Sequence, residues 1–239
     1  MTNPAPKNTR RDFLKRSAAA SAVFAVPTII PASALGGDGK TAPSNRIVMA
    51  SVGWGMQGPW NADQHMNYDD CQVVAICDLD KNVREGAARH IDEYNKSTGC
   101  KAYHDYREMM ARDDLDAVIL SVPDTWHALT AIEAAKNKLD IWGEKPLART
   151  IAEQQAIVKA VEGANLIWQT GSWQRSQANF RKGCEMVRNG LIGKVKHVEV
   201  GLPGGHNDFA GTRDKRDITD PPESLDYDMW IGPSKMEPY

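Results

Sequence analysis

Short apolar runs alternate with amphipathic stretches along the chain beyond residue 45. The run 46–52 is mostly apolar and β-branched, as expected of a strand that is buried on both faces of a parallel sheet. Residues 72–77 and 116–122 show the same pattern, and Pro123 closes the second of these runs. These three segments are the clearest strands that the sequence predicts.

Helices are predicted between the strands. Residues 81–96 carry charged side chains on one helical face and apolar side chains on the other, which is the pattern of an amphipathic helix. The further predicted elements are a helix from about Pro59, a short strand 101–103, a short helix 106–111, a helix 125–136 and a strand 139–142. Alternating strands and helices are typical of a doubly wound parallel sheet, which is the fold class that we predict.

A glycine-rich turn follows the first predicted strand. Gly53 would permit a tight turn, Gly55 would let the backbone approach a pyrophosphate, and Gly58 would let helix and strand pack closely. The phosphates would lie at the N-terminus of the next helix, where free N–H groups and the helix dipole favour an anion. The sequence therefore predicts a dinucleotide site, whose cofactor-binding residues in the turn are Gly53, Trp54, Gly55, Met56, Gln57 and Gly58.

An aspartate ends the second predicted strand. Asp78 lies 25 residues after Gly53, which is close to the spacing expected for a carboxylate that binds a ribose 2′-hydroxyl. Such a carboxylate would repel a 2′-phosphate, so it favours NAD over NADP as the cofactor. Lys81 and Arg84 follow closely and could hold a phosphate, so NADP stays open. A chance glycine turn beside an ordinary surface aspartate is the alternative to a dinucleotide site.

The first residues have the pattern of an export signal. Paired arginines in 9–15 precede a weakly apolar stretch, 18–34, that two prolines interrupt and that is too short to span a membrane stably. Small residues at 32–34 form a cleavage site that would leave Leu35 as the mature N-terminus. We therefore predict a twin-arginine signal over 1–34, recognised by the twin-arginine translocation machinery, and a periplasmic or cell-envelope location. An uncleaved anchor or a disordered basic tail is the alternative.

Composition and charge exclude some classes of function. The chain is 41% hydrophobic and 25% charged with a formal net charge of −2, and it has no basic stripe, so no nucleic-acid partner is indicated. Its four cysteines, Cys71, Cys77, Cys100 and Cys184, show no spacing typical of a metal site, and we predict no metal. We expect Cys71 and Cys77 to be buried, inert thiols, with a disulfide as the alternative in an oxidising compartment.

Motifs beyond the glycine turn give the chain a recognisable resemblance. The last predicted strand runs into Glu144-Lys145-Pro146, a tripeptide that is informative because of its position relative to the glycine turn. With these motifs the chain resembles the Gfo/Idh/MocA oxidoreductase family over residues 46–239. The other motifs that carry the resemblance are Pro123-Asp124-Thr125-Trp126-His127, Gln174-Arg175, 187–195 and 225–233.

The resemblance implies a Rossmann dinucleotide-binding domain over residues 46–170. It also implies that residues 171–239 begin an α+β open-faced sheet domain, which binds substrate and joins subunits in the family, and that 35–45 is a linker after the signal. The family's acid/base histidine has no counterpart in this second part, where we interpret His206 and Asp208 as loop residues. We therefore expect an N-terminal fragment with a truncated second domain, and a homo-oligomer when the protein is full length.

The resemblance also implies roles for residues that follow the strands. Lys145 would contact substrate and nicotinamide, Glu144 would help to hold the lysine, and Pro146 would fix the loop. An ammonium group, with an unperturbed pKa of about 10.4, can polarise or protonate an oxygen, and burial beside other charges can lower that pKa. A solvated lysine is the alternative. The resemblance adds cofactor contacts through the backbone of Ser121, Val122 and Pro123, and contacts to the nicotinamide end from Gln174 and Arg175.

His127 lies near the predicted start of a helix, above the crevice where ligands bind in such sheets. We assign His127 and Glu144 to catalytic support, and both of them, with Lys145, to cofactor binding. The alternative for His127 is a residue of the helix N-terminus whose hydrogen bonds are satisfied locally.

Three functions stay open. The motifs favour an exported NAD(P)-dependent oxidoreductase that transfers a hydride between a nicotinamide cofactor and a hydroxyl of a sugar or cyclic polyol. The first alternative is a glycosidase that oxidises a ring hydroxyl transiently with NAD, eliminates the leaving group and returns the hydride. The second alternative is a cofactor-binding fragment without turnover. Net redox change separates the first two, because the glycosidase releases a sugar with no net change in the cofactor.

Overall fold

The structure is a computed structural model that describes residues 35–37, 41–201 and 217–239. The predicted export signal, 1–34, lies outside the described residues, and so do His206 and its neighbours. No helix within the described ranges is long and apolar enough to cross a membrane.

Two compact units make up the chain, Met1–Asn45 and Arg46–Tyr239. The described part of the first unit contains a 3-10 turn, Pro43–Asn45, which falls inside the predicted linker. The second unit contains the sheet and every residue of the predicted site. The predicted domain boundary after residue 170 falls inside this second unit, and it stays a prediction.

A parallel sheet forms the centre of the second unit, and its strands in the described residues are β1 Ile47–Val52, β2 Cys71–Cys77, β3 Lys101–Tyr103, β4 Ala117–Leu120, β5 Asp140–Glu144 and β6 Trp168–Gly171. They lie in the order β3-β2-β1-β4-β5-β6, and every neighbouring pair is parallel. The strand order reverses between β1 and β4, so the carboxyl ends of these two strands flank a crevice of the kind in which ligands bind. This topology confirms the predicted doubly wound parallel sheet.

Helices cover both faces of the sheet, and in the described residues they are α1 Gly58–Met66, α2 Lys81–Asn95, α3 Tyr106–Met110, α4 His127–Lys136, α5 Ile151–Gly163, α6 Ala178–Arg188 and α7 Tyr227–Ile231. Successive side chains of a strand point to opposite faces of a sheet. In β4, Val118 and Leu120 pack with α3, α4 and α5, whereas Ala117 and Ile119 pack with α1 and α2. Burial on both faces explains why this strand has no alternating polar residues.

Some boundaries differ from those that the sequence predicts. Helix α4 begins at His127 rather than at Thr125, because the preceding residues form a turn in which the Trp126 N–H donates to the Pro123 carbonyl over 2.8 Å. Strand β4 ends at Leu120 rather than at residue 122, where the chain turns into the crevice. Helix α5 and strand β6, which the pattern did not predict, extend the fold beyond β5.

The two-sided burial of β4 generates a prediction about stability. Ile119→Ala should lower the free energy of unfolding by about 2–5 kcal/mol, because the fully buried side chain leaves a cavity between β4 and helices α1 and α2. Ile151→Ala is the control, since that side chain is 74% exposed, and it should change the same free energy by less than about 0.5 kcal/mol. Denaturant unfolding of both variants measures the difference, and equal effects would contradict the assigned core.

Candidate functional site

A cavity of about 620 Å³ opens at the carboxyl ends of β1, β2 and β4. The strands end at the same edge of the parallel sheet, so the turns that follow them meet there. The fold therefore brings together residues of three separate segments that were predicted from the sequence to bind the cofactor. The predicted residues that line the cavity are Gly53, Trp54, Gly55, Met56, Asp78, Ser121, Val122 and Pro123.

The three glycines of the turn meet different surroundings. Gly53 has a φ of +86°, and a Cβ there would lie 2.3 Å from the Ser121 carbonyl oxygen. A Cβ on Gly58 would lie 2.3 Å from the Gly53 carbonyl oxygen, so neither position accepts a side chain. Gly55 instead has no atom within 4 Å of an added Cβ, and it lines the cavity.

This open space fits a dinucleotide. A pyrophosphate can approach the bare backbone at Gly55, and helix α1 begins directly after the turn with Pro59 in its first turn. No side chain within the described residues caps the start of α1, so its first N–H groups are available to an anion. The residues of the turn therefore fit the phosphates of the cofactor that the sequence predicts.

Asp78 lines the cavity, and two backbone groups hold its carboxylate. Its Oδ2 accepts a hydrogen bond from the Trp54 N–H over 2.8 Å, and its Oδ1 accepts one from the Asp80 N–H over 3.0 Å. Each carboxylate oxygen keeps a further lone pair for a ribose hydroxyl. Lys81 and Arg84, the two cations that could hold a 2′-phosphate, contact protein groups in this structure. The Arg84 guanidinium donates to the Asp78 carbonyl over 3.4 Å, and the Lys81 Nζ lies 4.0 Å from the Glu85 carboxylate.

Glu144 and Lys145 lie at the same edge, at the end of β5, which is the neighbour of β4 on the side away from Asp78. Glu144 is buried, and its Oε2 accepts a hydrogen bond from the Lys145 N–H over 3.1 Å. The Lys145 side chain is exposed. Neither residue lines the cavity, so Lys145 stands beyond it along the edge, and its assignment to catalysis stays a prediction.

Asn61 connects the glycine turn to this loop, and the sequence analysis missed it. Its side chain is 1% exposed, and its Nδ2 donates to Ser121 Oγ over 2.8 Å and to Glu144 Oε1 over 3.2 Å. Its Oδ1 accepts from Gln57 Nε2 over 3.1 Å, so Gln57 supports the network rather than the cavity wall. The available signal was a polar residue on the otherwise small and apolar buried stripe of α1.

His127 is buried at the start of α4 and does not line the cavity. Its Nε2 donates to the Val122 carbonyl over 2.9 Å, which holds the turn after β4. Burial lowers the pKa of His127, because it disfavours the charged imidazolium. The geometry therefore places His127 as a support for the cavity-lining backbone at Val122, and its assignment to catalytic support stays a prediction.

Gln174 and Arg175 lie in a 3-10 helix, Trp173–Ser176, directly after β6. Both side chains are exposed, and neither residue lines the cavity. The fold thus brings them to the same edge as the other site residues but two strands beyond β4. Their predicted contact with the nicotinamide end stays a prediction.

Three cysteines in or next to strands of the sheet, of which Cys77 lines the cavity, have thiols with raised pKa values. Burial raises the pKa of the Cys77 thiol to about 12, and the nearby Asp78 carboxylate adds to the effect. Cys71 was expected to be buried, but it is only partly buried, and this partial burial raises the pKa of its thiol. Burial raises the pKa of the Cys100 thiol to about 12. A protonated thiol is neither a good nucleophile nor a metal ligand. Within the described ranges, no group of three or more His, Cys, Asp or Glu side chains is placed to hold a metal ion.

The cavity also has a wall that the sequence analysis did not predict. Tyr106 and Trp126 line it from α3 and from the turn before α4, and a distant segment contributes Leu225, Met229 and Trp230. These three residues come from the part of the chain that we assigned to a second domain. Their separation from the glycine turn in the sequence, together with their apolar character, gave no local signal of a cofactor contact.

Comparison with known families and proteins places the fold. Residues 47–172 match the Gfo/Idh/MocA oxidoreductase family, described as having an NAD-binding Rossmann fold. A glycosyl hydrolase family 109 protein of Shewanella putrefaciens is 29% identical over 210 residues, which cover 80% of this chain and 45% of the relative. An alpha-N-acetylgalactosaminidase of Shewanella oneidensis is 29% identical over 212 residues, with the same shares of both chains. The chain thus spans about 45% of the length of these curated relatives.

Solved structures resemble the same part of the chain. Myo-inositol 2-dehydrogenase from Lactobacillus plantarum has a TM-score of 0.57 and 28% identity, over 63% of this chain and 43% of that one. Scyllo-inositol dehydrogenase from Lactobacillus casei, solved with NAD(H) and scyllo-inositol, has a TM-score of 0.56 and 21% identity, over 62% of this chain and 42% of that one. The second likeness shows a shared fold alone.

The surroundings of the glycines predict two different outcomes for the same substitution. Gly58→Ala should destabilise the protein by about 1–3 kcal/mol, because its methyl group meets the Gly53 carbonyl. Gly55→Ala should leave the unfolding temperature unchanged and weaken NAD binding by at least about tenfold, because its methyl group occupies the approach of the pyrophosphate. Thermal unfolding and calorimetric NAD titration check both variants. Undiminished NAD affinity in Gly55→Ala would contradict the site.

The contacts of Asp78 predict a change in cofactor choice. Asp78→Asn should lower NAD affinity by about 10- to 100-fold, because a charged acceptor for the ribose hydroxyl is lost. NADP affinity should fall less or rise, since the repulsion of the 2′-phosphate is removed. Asp69→Asn, at an exposed position on the amino side of β2, is the matched control. Parallel titrations with both nucleotides measure the ratio, and an unchanged ratio would refute the assignment.

Proposed function

The chain belongs to the Gfo/Idh/MocA oxidoreductase family, and from this premise we propose that it transfers a hydride between NAD and a hydroxyl of a sugar or cyclic polyol. The observation that carries the proposal is the order of groups along one edge of the sheet. Asp78 follows β2, the glycine turn follows β1, Ser121 follows β4, and Lys145 follows β5. A cofactor whose adenosine ribose binds Asp78 and whose phosphates lie at the turn would extend toward Lys145.

The chemistry needs a proton-handling group at that end. Oxidation of a secondary alcohol removes a hydride from carbon and a proton from oxygen, and bound nicotinamide supplies the hydride acceptor. Lys145 is the group that we assign to the hydroxyl, where it can take the proton or polarise the oxygen. Glu144 fixes the start of the lysine side chain through its hydrogen bond to the Lys145 N–H, and Asn61 holds Glu144 in turn.

A second candidate function is hydrolysis of a glycoside with transient oxidation. The observation that favours it is the names of the relatives, a glycosyl hydrolase family 109 protein and an alpha-N-acetylgalactosaminidase, each 29% identical over 80% of this chain. In this reaction a ring hydroxyl is oxidised, the leaving group is eliminated from the activated ring, water adds to the resulting unsaturated ketone, and the hydride returns to give the free sugar. The same Lys145 would serve both reactions, because each begins with removal of a hydride and a proton from a carbinol.

We also propose that the protein is exported by the twin-arginine route. The support is the paired arginines of residues 9–15, followed by a weakly apolar stretch and small residues at 32–34. Export of a folded protein suits an enzyme that acquires its cofactor in the cytoplasm and keeps it outside.

Substituting Lys145 separates binding from turnover. Lys145→Ala should lower kcat by at least about 100-fold, because the proton-handling group is lost. It should lower NAD affinity by less than about tenfold, because the glycine turn and Asp78 keep their predicted contacts with the cofactor. Lys159→Ala, an exposed lysine of α5 outside the site, is the control. Assays with sugars and polyols follow NADH formation, and assays with glycosides follow sugar release. Turnover that survives Lys145→Ala would overturn the role of Lys145.

The two assays also separate the candidate functions. Stoichiometric NADH formation with a free sugar or polyol supports the dehydrogenase. Release of sugar from a glycoside with no net NADH supports the glycosidase. NAD binding with neither product would mean that the chain binds the cofactor without turnover.

Conservative replacement of the arginine pair tests export. Changing Arg10 and Arg11 together to Lys should retain a reporter fused after residue 45 in the cytoplasm, while the unaltered leader exports it. Arg16→Lys is the matched control, because it makes the same substitution outside the pair and keeps Arg10 and Arg11. Equal export from both leaders would contradict a twin-arginine signal.

A further inference from the structure

Residues 224–232, here called the capping segment, follow the matched region 47–172 in the chain and contribute to the cavity wall. We infer that the capping segment forms the outer wall of the adenosine half of the cofactor site and retains the cofactor there. The inference rests on the proposed NAD-dependent function. It goes beyond that function by naming the segment that sets the affinity for the adenosine half of NAD.

The capping segment is joined to the loop that carries Asp78. Leu225 forms an antiparallel bridge with Asp80, the second residue after Asp78. The Lys81 N–H donates to the Ser224 carbonyl over 2.8 Å. The Asp226 N–H donates to the Leu79 carbonyl over 3.3 Å. The segment therefore lies beside the carboxylate that we assign to the adenosine ribose.

A second attachment is at Trp126, which lines the cavity from the turn before α4. Its indole Nε1–H donates to the Trp230 carbonyl over 3.2 Å. Gly232 has a φ of +56°, and a Cβ there would lie 2.4 Å from Cζ2 of Trp126, so the segment can approach the indole only because this residue is glycine. The Tyr106 ring packs edge-on against Trp126, with 5.9 Å between the ring centres.

A third attachment orients the helix of the segment. Asp226 Oδ1 accepts a hydrogen bond from the Met229 N–H over 3.0 Å and so caps α7. Its Oδ2 lies 2.8 Å from Nε2 of His104, in the loop after β3. The short helix is thereby held with Met229 and Trp230 at the cavity.

The chemistry of this part of the cavity suits adenine. Leu79 and Val83, from the loop and helix after β2, line the cavity next to Asp78 in the chain, and Leu225 and Met229 line it from the capping segment. An adenine ring is flat and largely apolar on its faces, and it binds in slots lined by aliphatic, aromatic and thioether side chains. The phosphates and nicotinamide lie on the other side of Asp78, toward the glycine turn and Lys145. The capping segment is thus placed to contact the adenosine half.

Displacing the capping segment should weaken adenosine binding. In Gly232→Val the added side chain meets Trp126 and pushes the segment away, so the affinities for NAD and for AMP should both fall by about tenfold or more, and NAD should dissociate faster by a similar factor. Gly190→Val is the matched control, because Gly190 also has a positive φ, of +75°, but no atom lies within 4 Å of an added Cβ. Calorimetric titration and stopped-flow displacement of NAD provide the measurements.

Met229→Ala provides a milder variant in case Gly232→Val fails to fold. It removes a lining side chain but keeps the backbone attachments, and it should weaken NAD and AMP by a common factor of about three to ten. Met236→Ala, at a side chain 52% exposed outside the segment, should leave both affinities unchanged. Thermal unfolding without ligand shows whether each variant is folded.

The outcomes distinguish this inference from the function on which it rests. If the unaltered protein binds NAD but folded variants of the capping segment keep NAD and AMP affinities within about twofold, the inference is wrong and the proposed cofactor site stands. If the unaltered protein binds neither NAD nor AMP, both are overturned. Equal losses of NAD and AMP, absent in the control variants, support the capping segment as the adenosine wall.

Discussion

The close approach of bare backbone at the glycine turn is the constraint on which the site depends. A Cβ on Gly53 would lie 2.3 Å from the Ser121 carbonyl oxygen, and a Cβ on Gly58 would lie 2.3 Å from the Gly53 carbonyl oxygen. The turn can therefore pack against the end of β4 and the start of α1 only because both residues lack a side chain. That packing brings the start of α1 to the edge of the sheet. It also places Asn61, in the first turns of α1, within hydrogen-bond distance of Ser121 and Glu144.

A buried polar network uses this position of α1. Asn61 donates to both Ser121 and Glu144, and Glu144 accepts the N–H of Lys145. Buried polar groups are costly when unpaired, so these contacts fix the geometry of the loop after β5 relative to the turn after β1. The glycine turn and the loop of the proposed proton-handling lysine are therefore joined by one hydrogen-bond network, which either candidate reaction can use.

Retention of the cofactor connects the cavity wall to the choice between the two reactions. A dehydrogenase must exchange its reduced cofactor after each net turnover, whereas a hydride that leaves and returns within one catalytic cycle requires the cofactor to remain bound. A wall that closes on the adenosine half at Leu225 and Met229 suits retention. Retention would also suit the proposed export, in which the folded protein carries its cofactor with it.

The sequence by itself determined the sheet, the glycine turn and Asp78, because these depend on local patterns: apolar runs, a residue that accepts positive φ, and a carboxylate at a strand end. Tertiary structure alone decided the role of Asn61, the position of His127 behind the cavity wall and the capping segment. Asn61 and Glu144 are 83 residues apart, and Trp126 and Trp230 are 104 apart. No local periodicity encodes such pairings, because each depends on which strands become neighbours and on where the chain returns to the sheet.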